Sequence, residues 1–182
     1  MDNDDLKKLA GRALEIAHDD LLNKGAVCPT FITRGPDGGF EVMRFEDRAA
    51  QLFNDGSAKD LLFDAMRELV KERGLTAVIF VNEAWVGKQT AKGRAIGQKE
   101  FNRRTRERGF ETALRDGLVE RWEAIMITIQ TPAGVLIVQQ PFTRDYAAKT
   151  VDFGERIESE AAPGEFRGRQ KMYGDLSEEN LS

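Results

Sequence analysis

The run Leu75-Thr76-Ala77-Val78-Ile79-Phe80-Val81 constrains the fold of this chain more than any other stretch. It does not alternate apolar with polar residues, it is rich in β-branched side chains, and it is too short for a buried helix. Such a run reads as a strand in the middle of a sheet, covered on both faces. A chain with a strand of that kind needs neighbours on either edge and layers above and below.

Two hairpins supply the neighbours. Val27–Arg34 and Phe40–Phe45 read as strands joined by Gly35-Pro36-Asp37-Gly38-Gly39, a turn in which glycine and proline set the backbone. Glu123–Gln130 alternates Ile125, Ile127 and Ile129 against Met126, Thr128 and Gln130, turns at Thr131-Pro132-Ala133-Gly134, and returns over Val135–Phe142. Two amphipathic helices supply the layers. Leu6, Leu9, Ala10, Ala13, Leu14, Ala17 and Leu21 line one face of a helix over residues 4 to 24 that stops at Gly25. Leu61, Leu62, Ala65, Met66, Leu69 and Val70 line a second, which starts at Ser57 and closes at Gly74.

The expected fold class is therefore α+β: a single domain with a five-stranded, mostly antiparallel sheet and helices packed on it. The element order is α-β-β-α-β-excursion-β-β. That order resembles profilin-like and roadblock-like domains in topology alone, which implies nothing about activity. The domain is expected over residues 1–151, with the excursion at about 86–117 and an acidic extended tail over 152–182. Within the excursion, the glycines of Gly87-Lys88-Gln89-Thr90-Ala91-Lys92-Gly93-Arg94-Ala95-Ile96-Gly97 read as hinges of a mobile loop. A partial helix is expected from Gln98 to about Arg115.

Composition excludes several classes. One cysteine, Cys28, permits no disulfide within the chain, and with one histidine, His18, it cannot build the usual zinc constellations; no metal and no cofactor are expected. No apolar run reaches the roughly 18 residues of a membrane span. The start, MDNDDLKKLAGRALEIA, lacks the basic and apolar regions of a secretory signal. A cytoplasmic protein without membrane contact is the expectation. G-x-x-x-x-G-K-[ST] fails at Asn82 and Gln89, and no G-x-S-x-G is present.

Charge is the informative part. The net charge is -4, yet Val86–Gly109 holds eight basic residues against Glu100 and Glu107, a segment of +6 that leaves -10 on the remainder. Lys88, Lys92, Arg94, Arg103, Arg104, Arg106 and Arg108 form a candidate contact surface, rooted at Trp85. The leading expectation is a non-enzymatic binding or adaptor module. Its basic loop and helix would meet an acidic protein surface or a second copy in a homodimer. Nucleic acid is the second partner class, since the same arginines suit phosphates, although stacking aromatics are not interleaved with them.

A third reading makes the protein a hydrolase-type enzyme with Glu83 and Glu123 as an acid/base pair beside Arg121, where the central strand ends. The plainer reading of the same residues is a structural ion pair between Glu83 and Arg121, with Trp85 capping the core edge. His18 and Cys28 are near enough in sequence for a thiol–imidazole pair, but a lone cysteine is usually a small buried hydrophobe.

Overall fold

The structure is a computed structural model, and it describes residues 3–46, 56–162 and 172–173. The chain runs α1 (Asn3–Lys24), β1 (Thr30–Arg34), β2 (Phe40–Arg44), α2 (Gly56–Arg73), β3 (Ala77–Gln89), α3 (Ala91–Ala95), α4 (Gln98–Arg108), α5 (Phe110–Arg115), β4 (Val119–Thr131), β5 (Gly134–Asp145), β6 (Thr150–Phe153) and β7 (Ile157–Ala161). The α+β class holds, and every pairing among the described strands is antiparallel. The count is different: among the described residues the sheet has seven strands rather than five, in the order β2-β1-β3-β4-β5-β6, with β7 also on β5. The sheet curls into a half-barrel.

β3 is the central strand the apolar run predicts, and Ala77 to Val81 are all buried. Its register with β4 puts odd-numbered residues of both strands on one face. α1 covers that face, where Ala10, Ala13, Leu14, Ala17 and Leu21 meet Ile79, Val81, Ile125, Ile127 and Ile129. α2 covers the other, where Phe63, Met66 and Val70 meet Phe31, Val78 and Phe80. Phe31, Phe63 and Phe80 pack ring against ring, with centroids 4.6 to 5.7 Å apart. Met172 is buried in this second core, and its backbone N–H donates to Gln130 Oε1 at 2.8 Å.

Of the two extra strands, β7 lies in the region expected to be a tail and β6 straddles its start at Asp152. β6 and β7 lie end to end along the outer edge of β5. They are separated where Pro141 of β5 offers no N–H to a partner strand. There the neighbouring chain bulges, and the Gly154 N–H donates to the Pro141 carbonyl at 2.8 Å. Residues 163–171 and 174–182 of the expected tail lie outside the described residues.

The excursion also differs from expectation. β3 does not end near Val81 but continues to Gln89, paired with β4 as far as Gln89↔Val119. β1 stops at Val81 and β5 reaches only Glu123. Among the described residues, Val86–Gln89 against Val119–Trp122 is therefore a two-stranded ribbon projecting past the rest of the sheet. It carries α3, α4 and α5 as a small head built on Ala113, Leu118 and Val119, with Ile96, Phe101 and Leu114 around them. The helix expected over 98–115 is broken in two at Gly109, whose φ of 80° suits glycine.

Gly87 and Gly93 are contact points rather than hinges. A Cβ on Gly93 would lie 2.1 Å from the Leu118 carbonyl oxygen, and one on Gly87 would lie 2.5 Å from the Phe110 ring. Both glycines let the head press directly onto the ribbon. Among the described residues, no helix is long and apolar enough to cross a membrane.

Candidate functional site

Beyond the end of α1, the face that α1 covers continues along the ribbon to the head. Its floor comprises Glu83 and Trp85 on β3, Arg121 and Glu123 on β4, and Phe142 and Arg144 on β5, all on one face by register. Glu83 and Glu123 thus come to one site, and Arg144 joins them. Its Nη2 donates to Glu83 Oε2 at 2.5 Å and its Nη1 to Glu123 Oε1 at 3.0 Å. Glu83 Oε2 also accepts from the Val27 N–H at 3.4 Å, which ties the segment after α1 to the clasp.

The Arg144 side chain is 11% exposed, against 24% for Glu83 and 16% for Glu123. Its guanidinium lies over the Phe142 ring at 4.9 Å, and its Nε is buried without a hydrogen-bond partner. Burial works to lower the Arg144 pKa. The hydrogen bonds to Tyr146 and Glu83 and the charges of Glu83 and Glu123 more than offset this, and it ends above the usual value.

Arg121 does not pair with Glu83. It turns toward the head, where Nη1 donates to Glu111 Oε1 at 2.7 Å and the guanidinium lies over Trp85 at 4.6 Å from the ring centroid. Trp85 is 60% exposed, so it is a surface ring beneath an arginine rather than a cap on the core. Two arginines thus divide the work: Arg144 locks β3, β4 and β5 together, and Arg121 locks the ribbon to α5.

Sequence reasoning missed Arg144. The available signal was the alternation Phe142-x-Arg144. Had the strand been carried on to Asp145, Arg144 would have fallen on the face of Phe142, and Phe142 is the register partner of Glu123.

The basic residues fall into two sets. Arg103 is spent inside α4: Nε and Nη2 grip the Glu100 carboxylate at 2.8 and 2.7 Å, and Nη1 reaches Glu107 at 2.6 Å. Arg104 Nε shares Glu100 at 2.7 Å. The hydrogen bonds from Arg103 and then Arg104 hold the Glu100 carboxyl down at about 2. Lys92 Nζ donates to the Asp116 carbonyl at 2.8 Å and Arg94 Nη1 to the Gln89 carbonyl at 2.6 Å, so these two close the head. Lys88, Lys99, Arg106 and Arg108 are exposed and form no ion pair with another described residue.

α4 holds no buried residue. Lys99, Arg103 and Arg106 recur at four and three residues, which sets them on one stripe turned away from Phe101.

His18 and Cys28 serve different partners. His18 Nε2 is 2.8 Å from Gln140 Oε1 and its ring lies 4.0 Å from that of Phe153, while Cys28 Sγ accepts from Lys24 Nζ at 3.6 Å. No cluster of three or more His, Cys, Asp or Glu side chains able to hold a metal occurs among the described residues. No family model matches the chain, and neither a curated protein nor a solved structure does.

Proposed function

We propose that the protein is a binding module whose projecting head contacts an acidic protein surface, the first candidate being a second copy of the chain. One observation carries the reading: α4 sits at the tip of a two-stranded ribbon, contributes no buried residue, and turns Lys99, Arg103 and Arg106 outward. A helix that adds so little to a core is held in place for its surface.

Charge favours self-association. The remainder of the chain carries -10 against +6 on Val86–Gly109. The Glu83–Arg144–Glu123 clasp and the Arg121–Trp85 contact serve this function by fixing the angle at which the ribbon leaves the body. Protein is preferred over nucleic acid because Phe101 is turned into the head rather than offered for stacking.

The test is light scattering after size exclusion at low and high salt, on the intact chain and on a Lys99→Glu/Arg106→Glu variant. A dimer that dissociates in salt and in the variant supports the reading. A monomer under every condition removes the second copy as partner. If the same monomer also binds generic duplex or single-stranded DNA with steep salt dependence, the partner class is nucleic acid instead.

A further inference from the structure

On the body, far along the chain from the head, α1 and the β1–β2 hairpin border an open groove of about 240 Å³ lined by Asp5, Lys8, Leu9, Arg12, Arg34 and Phe40, of which Asp5, Lys8, Arg12 and Phe40 are exposed. Three cations and one carboxylate line it, a net charge of +2 within a body whose overall charge is strongly negative. Lys8 and Arg12 are one helical turn apart on α1, so both lie on the same side of the helix. Arg34 faces them from β1, where it is the register partner of Phe40.

The Arg34 guanidinium is placed before any ligand arrives. It lies 6.0 Å from the Phe40 ring centroid, and Nη1 donates to Thr76 Oγ1 at 3.4 Å. It is also close beside the turn, where a Cβ on Gly38 would stand 3.4 Å from Nη2. No ion pair joins Lys8, Arg12 or Arg34 to another described residue. Phe40 remains 47% exposed despite its size, and with Leu9 it gives the groove an apolar side.

We infer that this groove is a binding site for a small phosphomonoester bearing a planar apolar group. The phosphate takes the Lys8–Arg12–Arg34 side, where a guanidinium offers paired N–H donors to its oxygens and the net +2 balances a dianion. The planar group lies against Phe40 and Leu9. Asp5 disfavours a bulkier anion that would fill the whole groove. Nothing in this site depends on the head or its partner.

Phenyl phosphate and inorganic phosphate are the probes, titrated into the ¹⁵N-labelled full chain and followed by amide shifts. Phenyl phosphate is expected to saturate, with shifts confined to the first half of α1 and the β1–β2 hairpin. Arg12→Met and Arg34→Met should each weaken it about tenfold, the loss of one charge-assisted contact. Phe40→Ala should weaken phenyl phosphate and leave inorganic phosphate unchanged. Arg12 is exposed, so its variant tests the site even where Arg34→Met does not fold. Shifts that never saturate, that centre on the head, or that are as strong in Arg12→Met as in the parent overturn the assignment. Equal loss of both probes in Phe40→Ala overturns the planar group and reduces the ligand to free phosphate.

Discussion

Replacing Arg144 by methionine removes the cation from between two carboxylates and keeps the apolar stem over Phe142. Two charge-assisted bonds are lost, each about 1.5–3 kcal/mol at face value. Removing one partner from a fully buried pair costs about 3–5 kcal/mol, whereas exposed pairs are worth about 0–1 kcal/mol. Glu83 at 24% and Glu123 at 16% exposure lie between those limits, since water reaches part of each carboxylate. The expected loss is ~2–3 kcal/mol, which for a chain of this length lowers the melting temperature by about 5–10 °C.

Urea and thermal unfolding of Arg144→Met measure the loss. A triple variant, Arg144→Met with Glu83→Gln and Glu123→Gln, tests its cause. With no charge left to strand, it should return to within ~1 kcal/mol of the parent. The clasp argument fails if Arg144→Met costs less than ~0.5 kcal/mol, or if the triple variant is no more stable than the single one.

Other perturbations probe the head and the second core. Gly93→Ala pushes a methyl group into the Leu118 carbonyl and strains the Thr90 N–H bond to that same oxygen. It should destabilise the head by ~2–3 kcal/mol, with hydrogen exchange accelerated over α3 to α5 and unchanged in β3 residues Ala77–Val81. Glu100 should titrate near 2 by carboxyl NMR and move toward its ordinary 4.5 in Arg103→Gln/Arg104→Gln. Because its folded value is depressed, its support for α4 is complete above 4.5 and fades as pH falls toward 2.

Burial raises the Tyr173 phenol above its ordinary 10.0, and its hydroxyl donates to the Leu75 carbonyl at 3.1 Å. The stability it adds is complete below pH 10 and declines above it, as the unfolded phenol ionises first. In a Tyr146→Phe variant, which leaves Tyr173 as the single tyrosine, phenolate absorbance should therefore appear together with unfolding.

The parts of the fold that the sequence disclosed are those with strong local periodicity: α1, α2, both hairpins and the first half of β3. What it concealed has a common physical cause. β3 beyond Val81 pairs only with β4 among the described strands, so its residues need not be apolar, and Glu83, Gly87 and Lys88 look like loop. β7, with the sequence Ile-Glu-Ser-Glu-Ala, is an edge strand whose Glu158 and Glu160 lie opposite Val138 and Leu136 yet stay exposed at the rim of the sheet, and acidic residues there mask the strand from a pattern test. Gly93 reads as a flexible residue until the Leu118 carbonyl is seen beside it.

The site followed the same rule. Placing Glu83 and Glu123 together required only the antiparallel pairing of β3 with β4. Finding Arg144 required the register of β5 as well, across sequence separations of 61 and 21 residues. A contact that rests on two registers at once leaves only the alternation Phe142-x-Arg144 as its local trace.

The position of Met172 bears on how the chain is made. The α1-side core draws on residues up to Phe142, with Val151 and Phe153 at its margin, whereas the α2-side core includes Met172 and has Tyr173 against it. A ribosome that has delivered the sheet through β6 has released every element of the first core. The second is still open where Met172 belongs, and the amide of Gln130 still lacks the backbone N–H it will accept. The nascent domain therefore passes through a stage with one core complete and the other still lacking a buried side chain, that of Met172.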